Sequence, residues 1–187
     1  MSINIYIKNN DIYELTALAQ TKDLTTLIKP THLFTVCKYG FYNIAKLICK
    51  LNVMLSPKHK TTQKTPLMYA IEKKHNIVAK LFIDKGADLT AVDNSGYSAL
   101  SWAVMSNNIE MVQYLIDKGA DINIVNSDGI GLTTLCGASG VDGYPDILLL
   151  LLNNQVVFNN SDIDYFRTIL HHSHPTLKLI RQFNNLF

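Results

Sequence analysis

Residues 65–70 read TPLMYA, and residues 98–103, which lie 33 positions later, read SALSWA. The same shift relates LFIDKGAD at residues 81–88 to YLIDKGAD at residues 114–121. Several matches at one offset indicate an internal repeat of about 33 residues, and a repeat of that length is typical of proteins built from stacked supersecondary units.

Each repeat unit is predicted to contain two short antiparallel helices. Thr65 suits an N-cap and Pro66 suits the first helical position, so the first helix begins there and ends near Lys74. A second amphipathic helix is predicted from about Asn76 to Asp84, and Gly86 supplies the residue of positive φ that ends it. The sequence DNSG at residues 93–96 is typical of a turn and predicts a loop or hairpin before the next helix.

The pattern Thr-Pro-Leu-x-x-Ala, followed by a Leu-rich second helix and Gly-Ala-Asp, resembles the ankyrin repeat. The resemblance implies an all-α ankyrin-repeat solenoid of stacked helix-turn-helix units with projecting hairpin loops. An earlier copy is visible in THLFTVC at residues 31–37, and a later one in TTLCGA at residues 133–138. The later copy is predicted to be irregular, with extra residues before Thr133 and around Gly140. Because Gln155 also occupies the slot of the helix-ending glycine, the loop and the helix-to-helix turn of this copy are predicted to be distorted.

The whole chain, residues 1–187, is predicted to form one ankyrin-repeat domain with capping helices at both ends. Outer repeats would otherwise expose the apolar faces that inner repeats bury against their neighbours. The predicted segments are an N-terminal capping helix pair at 1–25, four repeats at 26–59, 60–92, 93–125 and 126–160, and a C-terminal capping helix pair at 161–187.

Composition excludes several classes of protein. The chain has 187 residues, 48% of them hydrophobic, so a real core can form. A net charge of +2 and a charged fraction of 17% give no strong field for a polyanion, so we expect no nucleic-acid partner. The longest apolar run, Ile147 to Leu152, is far shorter than the roughly 20 residues of a membrane helix, and no export signal is recognisable at the N-terminus.

The three cysteines are predicted to be reduced and buried. Cys37, Cys49 and Cys136 are widely spaced, form no Cys-x-x-Cys pair, and fall within apolar helical patterns. This usage is typical of a reducing compartment. We therefore expect a cytoplasmic protein, or one acting in a host cytoplasm.

The ankyrin resemblance implies that a protein partner binds to the ends of the first helices and to the hairpin tips. In this chain the predicted partner-binding residues are Lys38, Tyr39, Thr61, Thr62, Lys64, Glu72, Lys73, Asn94, Ser95, Tyr97, Met105, Ser106, Asp128 and Ile130, and the last helix pair adds His171 and His172. Tyr97 and Met105 are the preferred anchors, although single exposed apolar side chains are also ordinary surface features. Trp102 is predicted to have a partly buried structural role.

No catalytic, cofactor or metal site is predicted. The chain lacks a phosphate-binding glycine loop, Gly-x-Ser-x-Gly and His-Glu-x-x-His. His171, His172 and His174 form the strongest metal candidate, but the first two point in different directions on a helix and no Cys or carboxylate completes a ligand set. We expect a solvated helix end there.

Three roles remain open beside a plain adaptor that binds a protein partner. Asn123 lies in Asp121-Ile122-Asn123, which resembles the hairpin site modified by an ankyrin-directed asparaginyl hydroxylase. A monomer is expected, but self-association through an apolar C-terminus that includes Phe183, Leu186 and Phe187 is the alternative. The abundance of Asn, Lys, Ile and Tyr also resembles standalone ankyrin proteins of large DNA viruses and intracellular bacteria, which implies a host-directed effector.

Overall fold

The computed structural model describes residues 3–51, 53–138 and 144–168, and within them the chain forms twelve helices and no extended strand. An isolated antiparallel β-bridge joins Val125 and Gly131. The chain divides into two compact units, residues 1–93 and residues 94–187. The helices are α1 (Ile3–Lys8), α2 (Ile12–Thr21), α3 (Leu24–Leu27), α4 (Pro30–Tyr39), α5 (Tyr42–Lys50), α6 (Pro66–Glu72), α7 (Asn76–Asp84), α8 (Ala99–Met105), α9 (Ile109–Asp117), α10 (Leu132–Ala138), α11 (Pro145–Asn153) and α12 (Asn160–Thr168).

The first unit consists of three successive helix pairs, α1/α2, α4/α5 and α6/α7. The first helices contact one another in the order α1, α4, α6, and the second helices in the order α2, α5, α7. Fully buried Leu33, Leu67 and Phe82 fill the space between these two layers. The N-terminal pair α1/α2 packs against α4 and α5, and it is followed by the single turn α3, which was not predicted and which the Asp23 carboxylate caps.

The second unit repeats the arrangement with α8/α9 and α10/α11, and α12 packs against α10. A capping box starts α12, because the Asn159 side chain accepts from the Asp162 N–H and the Asp162 carboxylate accepts from the Asn159 N–H. The predicted roles of His171, His172, His174 and Phe183 to Phe187 lie outside the described residues. The boundaries proposed for caps and repeats remain predictions.

The turn that follows each second helix keeps one geometry, even where glycine is missing. Gly86 and Gly119 have φ of 84°, and Gln155 has φ of 61° in the same slot after α11. The Val156 N–H donates to the Leu151 carbonyl, just as the Ala87 N–H donates to that of Phe82. The distortion predicted at Gln155 is therefore wrong, since the turn's hydrogen bonds hold Gln155 in the left-handed region despite its Cβ.

The register of the last repeat also differs from the prediction. Helices α6, α8 and α10 begin at Pro66, Ala99 and Leu132, at a constant interval of 33 residues, so no residues are inserted before Thr133. Gly131 occupies the N-cap slot that Thr65 and Ser98 fill in the earlier repeats. A Cβ on Gly131 would lie 2.9 Å from an Asp162 carboxylate oxygen, so a Thr or Ser at this position would require that carboxylate to shift.

The irregularity predicted around Gly140 falls between α10 and α11. Helix α10 ends at Ala138 and α11 begins at Pro145, whereas α8 and α9 are separated only by Ser106 to Asn108. The connection is three residues longer in the last repeat, and residues 139–143 lie outside the described residues. None of the described helices has the length and apolar character that a bilayer crossing requires.

Candidate protein-binding faces

The three hairpin tips that precede α6, α8 and α10 share one backbone conformation. Gln63, Gly96 and Gly129 have φ of 55°, 80° and 76° at equivalent positions. The left-handed residue turns the chain back, so the residues on either side of it are presented at the tip. The predicted partner-binding residues that flank these tips are Thr61, Thr62 and Lys64, then Asn94, Ser95 and Tyr97, then Asp128 and Ile130.

All fourteen predicted partner-binding side chains from Lys38 to Ile130 are at least partly accessible. They divide equally between the two units, and the set is called the binding row below. The exposed members are Lys38, Tyr39, Thr61, Lys73, Asn94, Ser95 and Asp128, and the half-buried members are Thr62, Lys64, Glu72, Tyr97, Met105, Ser106 and Ile130. A partner can therefore reach the row in either unit.

In the first unit, an aromatic cluster lies beside the binding row. The Phe34 ring contacts His59 at 5.3 Å and Tyr69 at 5.8 Å between centroids, with interplanar angles of 87° and 76°. These edge-on contacts are the arrangement that aromatic pairs favour. The cluster forms part of an open cavity of about 450 Å³, here called the aromatic cleft, lined by Lys8, Phe34, Thr35, Lys38, Tyr39, His59 and Tyr69.

Sequence reasoning missed most of the aromatic cleft, since only Lys38 and Tyr39 were predicted to bind. Phe34 and Tyr69 lie within the first-helix signature stretches, while His59 lies in an irregular segment. Each is only half-buried. The sequence does show one aromatic residue on each of two neighbouring first helices, Phe34 and Tyr69. Whether their rings come into contact depends on how α4 packs against α6, which the sequence does not reveal.

An ion-pair network joins the hairpin tip to the end of α6. The Glu72 carboxylate contacts Lys64 Nζ at 2.8 Å and Lys73 Nζ at 3.0 Å. Burial alone would raise the pKa of Glu72, but the hydrogen bonds and charges of the two lysines outweigh it and lower the pKa. Lys64 Nζ also lies 5.5 Å from the Tyr69 ring centroid. Three predicted row residues are thereby joined by ion pairs, and one of them, Lys64, lies over the Tyr69 ring of the cleft.

In the second unit, Tyr97 and Trp102 occupy the positions that correspond to Lys64 and Tyr69 in the first unit. Tyr97 follows its hairpin tip as Lys64 does, and its ring meets the Trp102 ring at 6.3 Å with an interplanar angle of 78°. Trp102 is half-buried, in agreement with the predicted structural role. Met105 is the last residue of α8, and its carbonyl accepts a 3.4 Å hydrogen bond from the Tyr144 hydroxyl. Each of the two preferred anchors therefore has a contact within its own unit, Tyr97 with the Trp102 ring and Met105 with the Tyr144 hydroxyl.

Comparison with known families gives a direct assignment. The family model described as ankyrin repeats (3 copies) matches residues 3–93 and residues 33–126, which together span well over half of the chain. The chain belongs to the ankyrin-repeat family. Ankyrin repeats are generally protein-protein interaction modules, and the match includes the N-terminal helix pair predicted as a cap. A search of curated proteins finds no significant match.

Asn123, the candidate hydroxylation site, is exposed beside a hairpin of this ankyrin protein. Its side-chain Oδ1 accepts a 2.8 Å hydrogen bond from the Val157 N–H, and its backbone N–H donates to the Asp121 carboxylate at 2.9 Å. The side chain therefore ties neighbouring ankyrin loops of the second unit together, which gives Asn123 a structural role whether or not it is modified.

Cys37 and Cys136 are buried, but Cys49 is only half-buried, so the prediction that all three thiols are buried is wrong for Cys49. Burial raises the pKa of Cys37 well above its usual value, raises that of Cys49 to about 11, and raises that of Cys136. A thiol with so little thiolate is a poor nucleophile and a poor metal ligand near neutral pH. Within the part of the chain that the structure describes, no three His, Cys, Asp or Glu side chains come together in a metal-binding group.

Proposed function

We propose that this ankyrin-repeat protein is a non-enzymatic adaptor that binds a protein partner through the binding row. The observation that carries the proposal is the arrangement of each repeat, in which the signature residues are buried while the tip and helix-end residues beside them stay accessible. Thr65, Leu67 and Ala70 maintain the repeat, so Thr61, Thr62 and Lys73 are not needed for the core. Surfaces of this mixed aromatic, apolar and charged composition suit protein recognition.

A role as a host-directed effector and a site of action in the cytoplasm belong to the same proposal. The composition rich in Asn, Lys, Ile and Tyr and the reduced, structural cysteines support them. A monomer is expected. Self-association through the C-terminus would instead give a dimer in light scattering that disappears when residues 183–187 are removed.

The adaptor proposal is tested by affinity capture from eukaryotic cytosol with three forms of the chain. The row variant carries Tyr97→Ala, Met105→Ala and Lys73→Glu. The control variant carries Ile77→Ala, Ile109→Ala and Lys46→Glu, which likewise truncate two large apolar side chains and reverse one lysine charge, at exposed positions of the second helices. Circular dichroism first verifies that both variants are folded.

A protein retained by the native chain and the control variant, but lost from the row variant, supports the proposal. Equal capture by all three forms, or capture of nothing, contradicts the assignment of the binding row.

Modification of Asn123 by an asparaginyl hydroxylase is the second candidate, favoured by the exposure of that side chain. Incubation with such a hydroxylase should add the mass of one oxygen atom to the peptide that contains Asn123, and an unchanged mass rejects this candidate. An Asn123→Asp variant serves as the control for site assignment.

A further inference from the structure

We propose that the aromatic cleft of the first unit binds an acidic linear peptide segment, with an aromatic or large aliphatic side chain of that peptide inserted among Phe34, His59 and Tyr69. The inference rests on the proposed adaptor function and names the chemistry of the partner at one part of the binding row. The cavity of about 450 Å³ is open to solvent and lies within the size range of ligand sites, about 300–1,000 Å³.

The charge of the first unit is the first argument for an acidic partner. Residues 1–93 contain thirteen Lys against seven Asp and Glu, a net charge of +6, whereas residues 94–187 contain four Lys and Arg against eight Asp and Glu, a net charge of −4. The small net charge of the whole chain conceals this asymmetry. An acidic segment would be attracted to the first unit and repelled by the second.

The charges at the cleft itself are the second argument. Lys8 ends α1 and Lys38 lies near the end of α4, both exposed at the cleft rim. Neither lysine forms an ion pair with any described carboxylate. Glu72, the acid of the binding row in this unit, is already neutralised by Lys64 and Lys73. The rim can therefore accept two peptide carboxylates without displacing an existing ion pair.

The rings of the cleft supply the contact for the peptide's apolar side chain. Tyr39 is 57% exposed and stacks on Phe41 at 5.7 Å, and Phe34 and Tyr69 offer partly exposed edges. Burying such rings under an anchor side chain removes apolar surface from water. A cationic ligand fits less well, because the two rim ammonium groups would repel it. A nucleic acid is less favoured because the rings meet edge-on at 68° to 87° and do not form a stacked platform.

The experiment is selection of a random dodecapeptide library displayed on phage against the immobilised full chain, followed by affinity measurement with fluorescein-labelled copies of the selected peptides. The cleft variant carries Lys8→Glu and Lys38→Glu. The matched control carries Lys46→Glu and Lys50→Glu, which make the same charge change at exposed positions of α5. A third variant, Thr35→Phe, adds bulk inside the cleft while preserving charge.

We expect the selected peptides to carry two or more carboxylates next to an aromatic, Leu or Met residue. Affinity should fall about tenfold or more in the cleft variant and less than about twofold in the control, and it should weaken with added salt. Thr35→Phe should also reduce affinity, which separates insertion of a side chain from attraction by charge alone.

Selection of neutral or basic peptides, selection of none, or equal affinity for the cleft and control variants would overturn the inference. Tighter binding of a labelled oligothymidylate than of the peptides would do the same. Peptides lost from the Tyr97→Ala, Met105→Ala variant but retained by the cleft variant would contradict this inference while supporting the adaptor proposal. Failure of the adaptor proposal itself would appear separately, in the cytosol capture.

Discussion

Replacing Gly96 by Ala perturbs the hairpin tip that presents Asn94, Ser95 and Tyr97. Gly96 has φ of 80°, and a Cβ at this position would lie 2.5 Å from the Ser127 nitrogen and 2.9 Å from its Oγ. The Ser127 N–H donates a 3.1 Å hydrogen bond to the Ser95 carbonyl at the same place. Because the obstructing atom is backbone, the neighbouring hairpin must move to accommodate one methyl group.

Two terms set the size of the effect on the free energy of unfolding. Holding Ala in the left-handed region costs about 1 kcal/mol. Weakening the hydrogen bond from Ser127 to Ser95 and shifting the hairpin add about 1–2 kcal/mol. The Gly96→Ala variant should therefore be destabilised by about 2–3 kcal/mol.

Gly129 provides the matched control. Its φ of 76° imposes the same backbone cost, but the nearest atom to an added Cβ is Ser161 Oγ at 3.7 Å, an ordinary contact distance. Gly129→Ala should lose only about 1 kcal/mol. Urea denaturation followed by circular dichroism measures both values. Losses that agree within about 0.5 kcal/mol, or a greater loss at Gly129, would refute the argument that contact with Ser127 fixes the tip.

Three further predictions concern stability and thiol reactivity. Burial, and then the charge of Lys29, lowers the pKa of His32, which is only 3% exposed and whose imidazole bonds Asn4 Oδ1 at 2.5 Å. Protonation of His32 therefore favours the unfolded state. The free energy of unfolding should fall as the pH drops below 6.5, by at most about 1.4 kcal/mol per pH unit. Parallel curves of unfolding free energy against pH for the native chain and the His32→Gln variant would contradict this. Gln155→Gly should raise the free energy of unfolding by about 0.5–1 kcal/mol, because glycine adopts the φ of 61° without strain. The control Asn153→Gly, within α11, should lower the free energy of unfolding. A lower free energy of unfolding in both variants would contradict the assignment of strain to Gln155. Because the pKa of Cys49 is raised to about 11, iodoacetamide should alkylate it about a hundredfold more slowly than a free thiol at pH 8. Rapid labelling of the native chain, detected by mass spectrometry, would contradict this raised pKa.

The candidate site was partly accessible to sequence reasoning. The 33-residue repeat places Tyr97 and Lys64 at equivalent positions after their hairpin tips, and both are accessible as predicted. The repeat does not reveal that each contacts the first-helix aromatic residue of its own repeat, Trp102 or Tyr69. Such contacts depend on side-chain direction, which a family pattern leaves open.

The sequence by itself determined the all-α repeat architecture, because capping residues, helical apolar spacing and Gly-Ala-Asp recur at one interval and each acts locally. It misplaced the start of α10 by two residues, because Gly131 lacks the hydroxyl that marks the other starts, and the Asp162 carboxylate that lies beside it comes from a residue distant in the chain. Only tertiary structure decided that Gln155 turns as glycine does, and only it brought Phe34, His59 and Tyr69 into one cleft. The turn at Gln155 is held by its own hydrogen bonds, whereas the cleft depends on contacts between residues distant in the chain, which no local pattern encodes.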